Sequence, residues 1–170
     1  SQAFAAQAPA MLYGIDISTE MLASAKAAIA RAGLSDRITL AEADAAATDP
    51  RFCFRLAGFD RVYFSYTLSM IPEWRSALTR AASALAPGGR LHIVDFGTQR
   101  DLPAPFRRML FAWLSHFHVE PRAGETTAAL QALAELRGCH VDVHAFGRGY
   151  AFLATMSQPA IGRPEADAPR

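Results

Sequence analysis

The chain has 170 residues, 51% of them hydrophobic, with 17 lysines and arginines against 16 acidic residues and a formal charge of +1. That length supports one domain with a substantial core, and the charge balance excludes the global positive field of a nucleic-acid binder. Cys53 and Cys139 are too few and too far apart for a disulfide scaffold or zinc site, no apolar run is long enough to span a bilayer, and the first residues lack a secretory signal's basic flank, so a cytoplasmic protein is expected.

The chain opens on Ser1 and an Ala-rich AFAAQAPA stretch that reads as the last turns of a helix begun earlier. A first strand is expected over Met11 to Ile15. Ser18 then caps a helix with Glu20 in its first turn, Met21, Leu22, Ala25 and Ile29 form its apolar stripe, and Gly33 ends it. Arg37 to Glu42 alternates as a second strand. Arg61 to Tyr66 is a third, apolar one, after a turn at Gly58-Phe59-Asp60. A helix from about Glu73 to Ala86 stops at Pro87-Gly88-Gly89, and Leu91 to Val94 runs as a buried strand into Asp95.

Pro103 to Val119 reads as a long aromatic helix and Glu125 to Leu136 as another ending near Gly138. Cys139 to Phe146 and Tyr150 to Met156 follow as strands joined by Gly147-Arg148-Gly149, which suits an antiparallel hairpin. Residues 157–170 lack a period and are expected to be a disordered tail behind a domain over 1–156. Alternating strands and helices predict an α/β fold with a mostly parallel, Rossmann-like sheet and an antiparallel C-terminal hairpin.

Three acidic or polar positions fall at strand ends, where ligands of open α/β sheets bind. Asp16, ending the first strand, can accept hydrogen bonds from both hydroxyls of a ribose, or can act as a helix cap or turn former. Asp44, in the loop Ala41 to Ala45, can meet the exocyclic amine of an adenine or lie in a solvated loop. Ser65 and Tyr66 end the third strand on the same side. The glycine loop that accompanies such an acidic residue lies about 20 residues before it, and counting back from Asp16 passes Ser1. The first strand of such a fold, which would precede Met11 to Ile15, and the glycine-rich loop after it are therefore expected to be missing from these 170 residues, which would make them an excerpt of a longer chain.

The acidic strand end, the acidic loop, the strand FDRVYFS and the stretch LAPGGRLHIVDF together resemble class I S-adenosylmethionine-dependent methyltransferases over roughly residues 11 to 156. The stretches Ser65 to Trp74 and Val94 to Gln99 are similar to the N-methyltransferases that form betaine lipids from diacylglyceryl homoserine, and to phospholipid N-methyltransferases. The resemblance implies S-adenosylmethionine as cofactor and an amine, on a small molecule or a lipid head group, as acceptor. It places Asp16 on the cofactor ribose, Ile17 and Met21 around the adenine, Asp44 and Ala45 at the adenine edge, and Ser65 and Tyr66 beside the transferred methyl.

Tyr66 could hold a cationic head group on its ring, or be a core tyrosine. Phe106, Leu110, Trp113 and Phe117 form one helical stripe, with Arg100, Arg107 and Arg108 clustered at its start, suited to a core or to peripheral contact with the inner face of a membrane. His116 and His118 would point to different faces of that helix, so no metal pair is expected. A nucleotide-dependent oxidoreductase and a non-catalytic remnant serving as an interaction module are the alternative functions.

Overall fold

The computed structural model describes residues 10–97, 122–147 and 149–159. The aromatic stretch 103–119, with Phe106, Trp113 and Phe117, lies outside them, as does nearly all of the tail. Strand β1 (Leu12–Asp16) and strand β2 (Ile38–Glu42) pair in parallel with Asp16 opposite Glu42, and helix α1 (Thr19–Arg31) is the crossover such a pair requires. Ser18 starts α1 as expected: its hydroxyl accepts from the Met21 N–H at 3.2 Å. The predicted stripe is corrected in part. Leu22 is buried, whereas Met21 is 56% exposed.

A short helix α2 (Pro50–Phe54), absent from the sequence reading, follows; Asp49 caps it and Pro50 takes the first turn, where its missing N–H costs nothing. Strand β3 (Phe59–Ser65) begins within the predicted Gly58-Phe59-Asp60 turn, so only Gly58 of that triplet precedes the strand. It leads through a 3₁₀ turn (Leu68–Met70) to helix α3 (Trp74–Ser83), then strand β4 (Leu85–Phe96). Helix α3 ends earlier than Ala86 because Leu85 already pairs with Phe59. Pro87-Gly88-Gly89 does not interrupt β4. Between the pairs Phe59–Leu85 and Arg61–Arg90 the longer β4 segment bulges out, and pairing resumes in register.

Helix α4 (Ala123–Arg137) closes on Gly138, whose φ of 63° is the left-handed cap that glycine adopts without strain. Strands β5 (His140–Phe146) and β6 (Ala151–Ser157) form the expected antiparallel hairpin. Strand β6 lies between β4 and β5, giving the order β3-β4-β6-β5. It runs through Ser157, and the Gln158 N–H still donates to the Gly89 carbonyl at 2.9 Å, beyond the predicted domain end.

The core lies on one face of this four-stranded sheet. Trp74, Ala77, Leu78 and Ala81 of α3 and Leu130 and Ala134 of α4 cover Leu91, Ile93, Ala154 and Met156. Each fully buried Leu or Ile contributes roughly 1.5–3 kcal/mol relative to exposure. Arg137 ties the ends of the two helices together, donating to the Ala82 carbonyl at 3.2 Å and the Ser83 hydroxyl at 2.6 Å. Among the described residues no helix is long and apolar enough to cross a membrane.

On the opposite face Tyr63 stacks on His92 with centroids 5.0 Å apart, and His92 Nδ1 lies 3.1 Å from the Thr155 hydroxyl. Partial burial, then the positive charges of Arg61 and Arg90, hold the His92 imidazole below its ordinary value of 6.5. The unfolded chain thus binds the proton more readily. This stabilising contribution is complete above pH 6.5 and is lost as pH falls through the lowered folded value. Thermal midpoints should fall over that acidic range in the wild type, and His92→Gln should remove that part of the slope; an unchanged slope would reject the assignment.

Candidate functional site

The predicted site residues lie at the carboxyl ends of β1, β2 and β3. Asp16 is exposed, and its Oδ1 accepts from the Ser18 N–H at 2.9 Å, so the residue forms the strand-to-helix turn. Its backbone carbonyl accepts from the Ala43 N–H at 3.0 Å, bringing the Asp44 loop against the end of β1. Asp44 is also exposed and turns its own loop, Oδ1 accepting from the Ala46 N–H at 2.8 Å. Both carboxylates therefore have local turn roles, and each is steered by one oxygen. Ile17 is 70% exposed and Met21 56%, an uncovered apolar pair beside Asp16. Ala45 packs against the main core, linking this corner to α3.

Ser65 and Tyr66 belong to the other sheet. No hydrogen-bonded pairing joins β1 to β3 among the described residues. The two sheets meet instead through rings at the opposite strand ends, with Tyr13 4.9 Å from Phe54 and 5.9 Å from Phe59 between centroids. The two halves of the expected site are thus placed at the same ends of their strands, on separate sheets.

Tyr66 lies just beyond β3 with φ of 52°, a left-handed conformation that costs a residue with a side chain about 1–3 kcal/mol. Its N–H donates to the Val94 carbonyl at 2.7 Å, and its ring, 38% exposed, rests on Phe96 at 5.0 Å. Phe96 in turn meets Tyr150 edge-on at 5.9 Å. Tyr66 is therefore no core tyrosine; it is one end of an aromatic wall built by three separate segments, with Phe96 in the middle and Tyr150 at the other end.

Next to Phe96 along β4, on the buried side of the strand, sits Asp95, 4% exposed. Its Oδ1 accepts from the Ser69 hydroxyl and the Phe96 N–H, and its Oδ2 from the Ser69 N–H, all at 2.8 Å. This ties the loop after Tyr66 to the end of β4. Gly97 continues the close packing: a Cβ there would lie 2.2 Å from the Gly149 carbonyl oxygen. Sequence reasoning missed Asp95, Ser69, Phe96 and Tyr150 as site components. The available signal was an acidic residue closing an apolar run, since Ser69 stands 26 residues from its partner.

The methyltransferase domain family matches residues 1–89 of the chain. A ubiquinone/menaquinone biosynthesis C-methyltransferase, UbiE, of Brucella anthropi is 30% identical over 111 residues, covering 65% of this chain and 39% of that protein. The chain thus spans about two fifths of that curated relative. Among solved structures, an S-adenosylmethionine-dependent methyltransferase from Mesorhizobium loti superposes with a TM-score of 0.60 at 22% identity, over 88% of this chain and 81% of its own. The [4+2]-cyclase SpnF superposes with a TM-score of 0.69 at 16% identity, over 94% and 71% respectively. At such identities the structures speak for the fold alone, and a cyclase on it shows that fold does not dictate reaction. The match over residues 1–89 decides the family: this chain belongs to the methyltransferase domain family.

Proposed function

We propose that this domain moves a methyl group from S-adenosylmethionine to an acceptor seated at Tyr66, and that the acceptor is the amine of a small molecule or lipid head group. The observation that carries the reading is the Asp16 corner: an exposed carboxylate ending a parallel strand, steered by Ser18, with Ile17 and Met21 uncovered beside it. This set fits the cofactor's chemistry. A carboxylate accepts from two ribose hydroxyls, exposed aliphatic side chains cover an adenine face, and Asp44 accepts from the exocyclic amine with Ala45 at the ring edge.

When bound, S-adenosylmethionine supplies an electrophilic methyl on a sulfonium. The protein's share is orientation, with Ser65 and Tyr66 positioning an acceptor nitrogen whose lone pair is free and whose proton leaves to solvent after transfer. The Tyr66 ring, braced by Phe96, attracts the increasingly cationic head group. A lipid-borne acceptor puts the domain at the cytoplasmic face of a membrane as a peripheral protein. The name of the Brucella relative favours a second reading, transfer to an activated ring carbon, and the same aromatic wall suits a planar acceptor.

Isotope-labelled S-adenosylmethionine offered with a diacylglyceryl amine and, separately, with a demethylated quinol discriminates these readings. Label on nitrogen supports the first, label on a ring carbon the second, and failure of a chain completed with the glycine-rich loop to bind the cofactor would defeat both. For an amine acceptor, Tyr66→Ala should raise KM roughly 2- to 30-fold, the range of a cation–π contact, while Tyr66→Phe stays near wild type. Equal losses in both variants would assign the role to the hydroxyl and remove the ring from the argument.

A further inference from the structure

Away from Asp16 and Tyr66, a shallow cleft of about 540 Å³ runs along the solvent side of α3, where the start of α2 approaches it. Three guanidiniums line it, those of Arg51, Arg75 and Arg80, against the single carboxylate of Asp49. Ser76, Thr79 and Ser83 add hydroxyls along one stripe of the helix.

Two of the guanidiniums, those of Arg51 and Arg80, are held in place. Arg51 grips Asp49 through Nε at 3.1 Å to both oxygens and through Nη2 at 2.6 Å to Oδ2. This hydrogen bonding, with further attraction from Arg51 and Arg80, holds the Asp49 carboxyl below its usual range. Arg80 anchors its Nε on the Ala46 carbonyl at 2.8 Å, which leaves its two terminal nitrogens for another acceptor. Arg75 stacks its guanidinium 4.2 Å above the Trp74 ring and reaches Glu125 at 3.3 Å in an exposed, weak pair. Asp49 is thus already engaged, and positive charge remains in excess across the cleft.

We propose that this cleft binds a phosphate group, with Arg80 and Arg75 as its principal ligands and Ser76 contributing its hydroxyl. Planar guanidinium forks match the oxygens of a phosphate in paired hydrogen bonds, and an anion there relieves the mutual repulsion of the guanidiniums. Thr79 and Ser83 turn their protons back to the Arg75 and Thr79 carbonyls, at 2.9 Å each, so the arginines and Ser76 supply the donors. The inference is independent of methyl transfer, because it concerns binding on another face.

Calorimetric titration of the full chain with inorganic pyrophosphate tests it, beside flotation with phosphatidylcholine vesicles with and without phosphatidylglycerol. The expected result is salt-sensitive binding, weakened at least fivefold by Arg80→Ala and by Arg75→Ala. Arg61→Ala, on the opposite sheet face, should leave it unchanged. Pyrophosphate binding without vesicle capture identifies a soluble phosphoester site. Capture that needs phosphatidylglycerol and is lost in the same variants identifies a phospholipid head group. Arg75→Ala guards against a folding artefact in Arg80→Ala, since Arg75 is two-thirds exposed and anchors no loop. Absence of binding to both probes, or binding indifferent to both substitutions, overturns the proposal. So does an oligonucleotide that outcompetes pyrophosphate at equal phosphate, which would make the cleft part of a polyanion surface.

Discussion

Asp16→Ala lowers the affinity for S-adenosylmethionine roughly 30- to 1000-fold in a calorimetric titration of a chain completed with the glycine-rich loop. Two ribose hydroxyls donating to one carboxylate make two hydrogen bonds to a charged group, each worth about 1.5–3 kcal/mol. They share one residue and do not add fully, so a joint loss of about 2–4 kcal/mol sets that range. Asp16 also holds the turn into α1 by accepting from the Ser18 N–H. Asp16→Asn separates the two roles: an amide oxygen still accepts from Ser18, while the charge that strengthens ribose binding is gone. The asparagine variant is expected to keep wild-type thermal stability and still lose cofactor affinity at least tenfold. Unchanged affinity in Asp16→Ala would remove the residue on which the cofactor reading rests.

Asp95→Ala should be the most destabilising polar substitution at the site, by about 3–5 kcal/mol, because it strands the Ser69 N–H, the Ser69 hydroxyl and the Phe96 N–H in a buried place. For a domain of this size that lowers the thermal midpoint by roughly 10 °C. Ser69→Ala removes one donor and leaves the carboxylate its other partners, so about 1–2 kcal/mol is expected. The double variant should cost clearly less than the two single losses added, since both act through one shared contact. Purely additive losses would show that the Asp95–Ser69 link contributes no coupling. The same link holds the loop bearing Tyr66, so Asp95→Asn at a temperature where it stays folded should raise the acceptor KM.

The Asp16 turn and the Ser18 cap could be read directly, because both are bonds within three residues and depend only on neighbours. Helix α2 could not be read from periodicity, as five residues make little more than one turn; its signs were the local ones of Asp49 and Pro50. Pro87-Gly88-Gly89 misled in the other direction. Those residues break most strands, yet pairing with β3 before and after them lets β4 carry the triplet as a bulge. The hairpin of β5 and β6 was legible from its short glycine connection, but the insertion of β6 beside β4 was not, because nothing in a hairpin sequence specifies its outer neighbour.

Met21 marks the boundary between the two kinds of information. Its spacing places it on one helical stripe with Leu22, and the structure buries Leu22 alone. Periodicity states which residues share a face, and burial depends on what the rest of the chain brings to that face. By itself, then, the sequence determined the alternation of elements, their caps and the position of an acidic residue at the end of β1, all consequences of local backbone preference. The tertiary structure decided the wall of Tyr66, Phe96 and Tyr150, the buried Asp95 and the arginine cleft, since each joins segments distant in the chain, and only packing selects which of them meet.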